Sequence, residues 1–304
     1  MNGVLIIDKP AGLTSHDVVN RVRAILQQRS VGHLGTLDPL ATGVLPLVIG
    51  NLTRLAQFYT ASEKSYEGVI RFGFATDTYD AQGEPVGPAQ QVALSLDEVR
   101  TVAAAFRGLI EQMPPPFSAK KIQGVPAYKL ARKKKSVPLK PVQVEIKEFE
   151  ILALEGARAH FRAHVASGTY MRSVAHDMGL RLGCGAHLET LRRTAVAEFE
   201  LVDAHTLDEL QEATRQGAAE ELFIHPRKLL PQFPAVTATE QAVALIRSGR
   251  AVNLLDLSRA RHVKVFHGQR ELIAIATRVA GTLFHPKIVL AAQLPQFENS
   301  GRKG

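Results

Sequence analysis

The 304 residues read as an α+β protein with a small β-rich module at its C-terminal end. Three observations predict this. Short apolar runs bounded by turn residues alternate with helices that carry their own caps; the stretch from Pro226 to Pro234 holds three prolines and little periodicity; and the residues beyond it alternate at strand spacing. With 45% apolar residues, the chain buries a substantial core, as one large unit or a large one plus a small one.

Taken in order, Gly3 to Ile7 is a short buried strand. After the Pro10-Ala11-Gly12 turn a helix begins, with Thr14 capping and Asp17 closing the box, and Val18, Val22, Ile25 and Leu26 share one face. A polar, glycine-rich loop runs from Ser30 to Gly43, and Val44 to Ile49 resumes as a strand, so the loop is held between two core elements. Ser65 to Phe74 is another strand, and Ser95 with Glu98 opens a helix that runs to about Phe106 and is ended by Gly108. Met113-Pro114-Pro115-Pro116-Phe117 cannot be helical, and the basic stretch behind it lacks apolar periodicity, so residues 113–141 form an exposed loop or loosely held flap. Val142 to Leu154 and Arg158 to Val165 pair as strands. A helix from Tyr170 to Leu182 carries Val174, Met178 and Leu182 on one stripe, and another spans Leu207 to Gln216. The proline-rich stretch marks the boundary between residues 1–230 and 231–304. Beyond it come a helix, Thr239 to Ser248, and strands His262 to Phe266, Leu272 to Ala276 and Lys287 to Leu290.

The net charge is +8, which favours a polyanionic partner. Residues 118–140 hold eight Lys or Arg and no acid, leaving 29 basic against 29 acidic residues elsewhere. A solvated lysine-rich loop is the ordinary account of such a run; phosphate contacts by Lys120, Lys121, Lys129, Arg132, Lys133 and Lys134 are the functional one. Cys184 is the single cysteine, which excludes an internal disulfide and a multi-thiolate zinc site and fits a reducing compartment. The N-terminal apolar run is too short for a signal peptide, and no stretch approaches a membrane span, so a cytoplasmic protein is expected. No Walker or dinucleotide-type phosphate loop and no ligand cluster is present, and the expected cofactor and metal complement is none.

The most informative string is Val31-Gly32-His33-Leu34-Gly35-Thr36-Leu37-Asp38-Pro39-Leu40-Ala41-Thr42-Gly43-Val44-Leu45. Its glycines permit tight turns, and Pro39 restricts Asp38 to extended conformations, which aims the carboxylate. An isolated Asp-Pro more often just starts a turn. This longer string, however, resembles the catalytic loop of the TruB family of pseudouridine synthases, which modify the uridine at position 55 in the T-loop of tRNA. Gly3 to Pro10 with Gly12 and Thr14-Ser15, then Glu63-Lys64-Ser65-Tyr66, Pro115 to Lys120, Gly168 to Ser173 and Leu191-Arg192-Arg193 resemble the family's other motifs, in order, over about residues 1–200.

The resemblance implies a mixed, largely antiparallel sheet flanked by helices with the active site in a central cleft, and a C-terminal module similar to a PUA domain. It implies Asp38 as the nucleophile. Chemistry agrees, because breaking the bond between uracil N1 and ribose C1′ develops positive charge that a carboxylate can stabilise or trap. By spacing alone Arg172 reads as a surface arginine and Tyr66 as core packing; the resemblance pairs Arg172 with Asp38 and lays Tyr66 over the target uracil. It also implies that His33, Tyr170 and Leu191 contact the RNA or the extruded base, although Tyr170 and Leu191 read equally as packing residues. The implied partner is the T-stem-loop of tRNA, bound by a monomer. Departures from the family pattern are Phe117, Lys140-Pro141 and Ala195-Val196-Ala197. Two alternatives remain at this stage: a guide-dependent synthase of the ribosomal-RNA type, and an RNA chaperone that refolds tRNA without essential chemistry.

Overall fold

The computed structural model describes residues 1–117, 121–122, 125–126, 140–256 and 258–290. The basic residues Lys120, Lys129, Arg132, Lys133 and Lys134, and the side chain of Lys121, lie outside the described part. Strands β1 (Gly3–Lys9), β2 (Val31–His33), β3 (Thr42–Ile49), β4 (Lys64–Phe72), β5 (Ala75–Thr76), β6 (Pro85–Val86), β7 (Gly108–Gln112), β8 (Lys121–Ile122), β9 (Val125–Pro126), β10 (Val142–Glu155), β11 (Arg158–Val165), β12 (Ala186–Val196), β13 (Phe199–Glu200) and β14 (Ala204–His205) precede the proline-rich stretch. Strands β15 (Ala235–Thr237), β16 (Val252–Asn253), β17 (His262–His267), β18 (Glu271–Ala280) and β19 (Leu283–Val289) follow it. Among the described residues the α-helices are α1 (Ser15–Ile25), α2 (Leu96–Ala104), α3 (Met171–Arg181), α4 (Leu207–Arg215) and α5 (Glu240–Arg247). Among the described residues, no helix is long and apolar enough to cross a membrane.

The large sheet runs β14-β1-β3-β12-β4-β11-β10-β7, with β2 on β3 and β13 on β12. It is mixed and largely antiparallel, parallel only at β1/β14 and β3/β12. β1 and β3 read as unbroken apolar runs because both of their faces are covered. Leu5, Ile7, Leu45 and Leu47 pack with Val18 and Val22 of α1, whose capping box forms as the sequence predicts. Val4, Ile6, Val44 and Val48 face the other way, onto Phe266, Leu272, Ile275 and Ile288 of the second sheet. That sheet, β15-β17-β18-β19-β16, therefore braces the strands that carry the Asp38 loop from behind.

The structure departs from the sequence reading in four places. β12 was not anticipated, although it lies at the centre of the sheet. Two bulges, between Leu188 and Thr190 and between Arg193 and Ala195, break its alternation, and polar side chains on both faces hide what remains. β2 occupies the start of what reads as a loop, pairing with β3 through Val31, Gly32 and His33. β7 begins at Gly108, the expected helix stop, where a φ of 89° turns the chain directly into a strand. Strand β19 begins at Leu283 rather than at Lys287. In the proline-rich stretch Leu229 and Leu230 are fully buried, and Lys264 donates to the carbonyls of Arg227 and Leu229 at 2.8 and 2.6 Å.

The parallel contact between β3 and β12 pairs Thr42 with Arg192 and Gly43 with Arg193. Gly43 has φ 98°, and a Cβ there would stand 2.2 Å from the Arg193 carbonyl oxygen. Gly43→Ala is therefore expected to destabilise the protein by at least about 2 kcal/mol, read as a lower denaturant midpoint. An unchanged midpoint would show that the two strands can part at no cost.

Candidate active site

The loop between β2 and β3 carries Asp38, and backbone contacts from three directions fix its course. From β1, the buried Lys9 ammonium donates to the carbonyls of Pro10, Leu13 and Pro39 at 2.8, 2.6 and 3.3 Å. Burial pushes Lys9 down to about 8, with the Asp38 charge opposing that fall. From the start of α1, the Ser15 hydroxyl donates to the Leu37 carbonyl at 3.1 Å and accepts the Leu37 N–H at 2.7 Å. From β12, the fully buried Arg193 donates through Nε to Val44, through Nη1 to Thr36 and through Nη2 to Gly35, at 2.8, 3.1 and 3.1 Å. Five guanidinium protons in a rigid fork suit that task, since three carbonyls along one bend each take a donor.

Asp38 itself meets Arg172 at the N-terminal end of α3, with Nε 2.9 Å from Oδ2. The N–H is not aligned on that oxygen, so the contact is a charge pair rather than a directed hydrogen bond. Arg172 is 4% exposed. Its remaining nitrogens reach Asp80 Oδ2 at 3.5 Å, the Thr78 carbonyl at 3.1 Å and the Phe117 carbonyl at 2.8 Å. The end of α3 is held in turn by the buried Gln112, whose amide accepts the Tyr170 N–H at 2.8 Å and donates to the Tyr170 carbonyl at 3.1 Å. Ser173 adds a bond to the Met113 carbonyl at 2.7 Å.

The Asp38 side chain is 37% exposed, yet protein surrounds it on most sides. Burial raises its pKa, Arg172 and Lys9 oppose the rise, and the like charge of Asp80 adds to it. Tyr66 of β4 is buried; its side chain and Asp38 both favour the charged form of Arg193, against the lowering caused by burial. His33 accepts the Gly35 N–H through Nδ1 at 3.3 Å, and burial with the charges of Arg193 and His16 lowers its pKa, which favours a neutral ring.

A model of the TruB family pseudouridylate synthase N-terminal domain matches residues 23–171, and one of the tRNA pseudouridylate synthase B C-terminal domain matches residues 172–231. The tRNA pseudouridine synthase B of Solibacter usitatus is 50% identical over 293 residues, covering 95% of this chain and 100% of that protein. The chain belongs to the TruB family of pseudouridylate synthases. Its TruB relatives include the tRNA pseudouridine synthase B of Aquifex aeolicus, 39% identical over 95% of this chain and 100% of that protein. Among solved structures, a Cbf5–Nop10–Gar1 complex is similar with a TM-score of 0.70 and 26% identity, over 96% of this chain and 85% of that one. The TruB chain is thus an isomerase with the pseudouridine-synthase fold: a mixed sheet with helices, and a curled β-rich module at the C-terminal end.

Of the residues singled out in this TruB sequence, the structure brings Asp38 and Arg172 into contact and buries Tyr66 and Leu191 in one cluster. Leu191 also lines an open recess with Leu40, Thr42, Gly68 and Arg192; Asp38 is not among its lining residues. Tyr170 is the N-cap residue of α3, two residues before Arg172. Sequence reasoning missed Asp80, Gln112 and the structural parts played by Lys9 and Arg193. Asp80 sits in Thr76-Asp77-Thr78-Tyr79-Asp80-Ala81-Gln82-Gly83, a string that reads as an ordinary polar turn. The signal available was a lysine at the end of a mostly apolar strand and an arginine pair inside a motif, cations that are costly to bury unless they hold something.

A raised carboxylate value fixes the sign of a stability effect. The folded protein keeps the Asp38 proton over a pH range in which the unfolded chain has lost it, so stability falls as pH rises from about 4 through the raised value. The loss is complete above it. Asp38→Asn is accordingly expected to melt at a higher temperature than wild type at pH 7, with the gap closing below about pH 4. Calorimetry across that range checks this; equal midpoints at pH 7 would mean that Arg172 fully compensates the burial.

Proposed function

We propose that this synthase isomerises the uridine at position 55 in the T-loop of tRNA, acting alone, as a monomer and in the cytoplasm, with Asp38 as the nucleophilic carboxylate. The observation that carries the reading is the charge pair between Asp38 and the buried Arg172 on a loop strapped by Lys9, Ser15 and Arg193. An enzyme that cleaves a glycosidic bond needs an ionised carboxylate held still beside ribose C1′. Arg172 favours the ionised form and fixes its direction once RNA excludes water. The N1–C1′ bond breaks with its electron pair left on N1, the freed uracil turns, and C5 bonds to C1′ while the C5 proton leaves and N1 takes up a proton.

In this reading Tyr66 stacks on the uracil, His33 replaces the base that leaves the RNA stack, and Tyr170 and Leu191 contact the extruded nucleotide. Lys120, Lys121, Lys129, Arg132, Lys133 and Lys134 contact the RNA backbone. Residues 1–230 are the catalytic unit, with the basic insertion at about 113–141, and residues 231–304 are a PUA-like RNA-binding unit. Ten Lys or Arg against four acids in residues 235–304 support that second assignment. Identity of 50% over nearly the whole chain to a tRNA pseudouridine synthase B favours a tRNA substrate over a guide-dependent one.

The purified protein alone, mixed with a T-stem-loop transcript tritiated at uracil C5, is expected to release label. No release at any ratio would overturn the stand-alone reading. Asp38→Asn is expected to lower release more than about 1,000-fold while RNA affinity holds, an outcome a pure chaperone would not give. Lys133→Glu with Lys134→Glu should flatten the slope of log Kd against log salt by about 1 to 2; an unaltered slope would remove the insertion from the interface.

A further inference from the structure

Between β5 and β6 the chain makes a tight turn, and Tyr79 within it has φ 66°, a left-handed conformation that a bulky side chain rarely takes. The turn is closed by its own polar groups: Thr76 donates its hydroxyl to the Asp80 carbonyl at 2.7 Å, and Thr78 donates its own to Asp80 Oδ1 at 2.7 Å. On one side its backbone is tied to β12, where Leu188 N–H donates to the Tyr79 carbonyl and Ala81 N–H to the Leu188 carbonyl, both at 3.0 Å. On the other side it presents the Thr78 carbonyl and the Asp80 carboxylate to Arg172.

A ring stack joins this turn to α3. The Tyr79 phenol lies flat on the His176 imidazole, with centroids 3.7 Å apart and planes 10° apart. His176 follows Arg172 by four residues on α3, so the two side chains project from the same face of the helix. The His176 Nδ1 is buried without a hydrogen-bond partner. That ring is thus held through its face, by Tyr79.

We propose that Tyr79 and His176 are positioning residues for the isomerisation. Their stack clamps the Thr78–Asp80 turn against α3 at the place where Asp80 and the Thr78 carbonyl steady Arg172, and Arg172 in turn aims at Asp38. The left-handed backbone at Tyr79 is what lets one short turn offer its ring to the helix and its flanking acceptors to the guanidinium together. The proposal rests on the reading of Asp38 as the nucleophile.

Glycine adopts φ 66° without strain, so Tyr79→Gly removes the clamp while sparing the turn, and Tyr79→Phe keeps the ring. Single-turnover tritium release at saturating T-stem-loop, RNA Kd and thermal midpoint are measured for each. Tyr79→Phe is expected within about twofold of wild type, and Tyr79→Gly and His176→Ala about 10- to 100-fold slower at unchanged Kd. In an Asp80→Asn background, Tyr79→Gly should slow release by less than about threefold more, because both changes loosen the same guanidinium. A wild-type rate in Tyr79→Gly or His176→Ala, or losses that multiply fully with Asp80→Asn, would overturn the proposal. Should Tyr79→Gly not fold, the contrast between His176→Ala and the ring-preserving His176→Phe decides in the same terms. Failure of the underlying reading is distinct: wild type would release no label, or Asp38→Asn would release it freely.

Discussion

A guanidinium placed inside protein must find negative partners on all its sides, and at Arg172 that demand brings the parts of this molecule together. The cost of burying the charge is offset by Asp38, Asp80 and the carbonyls of Thr78 and Phe117, which share it between them. Those groups come from the loop after β2, the turn after β5 and the start of the 113–141 insertion, while Arg172 itself stands on α3. Satisfying one side chain therefore fixes four separate pieces of chain relative to one another. Directional bonds to a planar fork make the arrangement specific as well as stable.

Arg193 does the same for the backbone that Arg172 does for the carboxylates. Lying on β12 beside the parallel pairing to β3, it donates to three carbonyls of the bend from Gly35 to Val44. Lys9 closes the bend from β1, and both cations are buried. Two lysines near this site, Lys9 and Lys64, are each held down at about 8 by burial. The region is thus rich in positive charge that is already committed to structure or partly neutralised, leaving the carboxylate of Asp38 as the group whose ionisation is under tension. A carboxylate held at a cost to folding is expected where function, rather than stability, sets the choice of residue.

The second sheet enters this picture through packing. Phe266, Leu272, Ile275 and Ile288 cover the reverse of β1 and β3, and Asn51 and Arg54 donate to the carbonyls of Leu290 and Val289 at 2.8 and 2.6 Å. The strands on which the Asp38 loop is mounted are accordingly clamped from both faces, which suits the part proposed for Asp38.

Much of this was legible from the chain alone. The caps at Thr14 and Ser95, the paired strands on either side of Gly156 and the apolar runs of β1 and β3 rest on local rules of spacing and turn chemistry, and these elements form where those rules put them. The string around Asp38 and the other ordered motifs carried the family. Tertiary structure decided what local rules do not encode: β12, whose bulges hide its period, and the partnership of Arg172 with Asp80, residues 92 positions apart in a sequence where one looks like surface and the other like a turn. Periodicity records which face of an element is buried. Which distant charge a buried charge will meet is set only when the sheet order is complete, because electrostatic and hydrogen-bond partners are chosen by proximity in space.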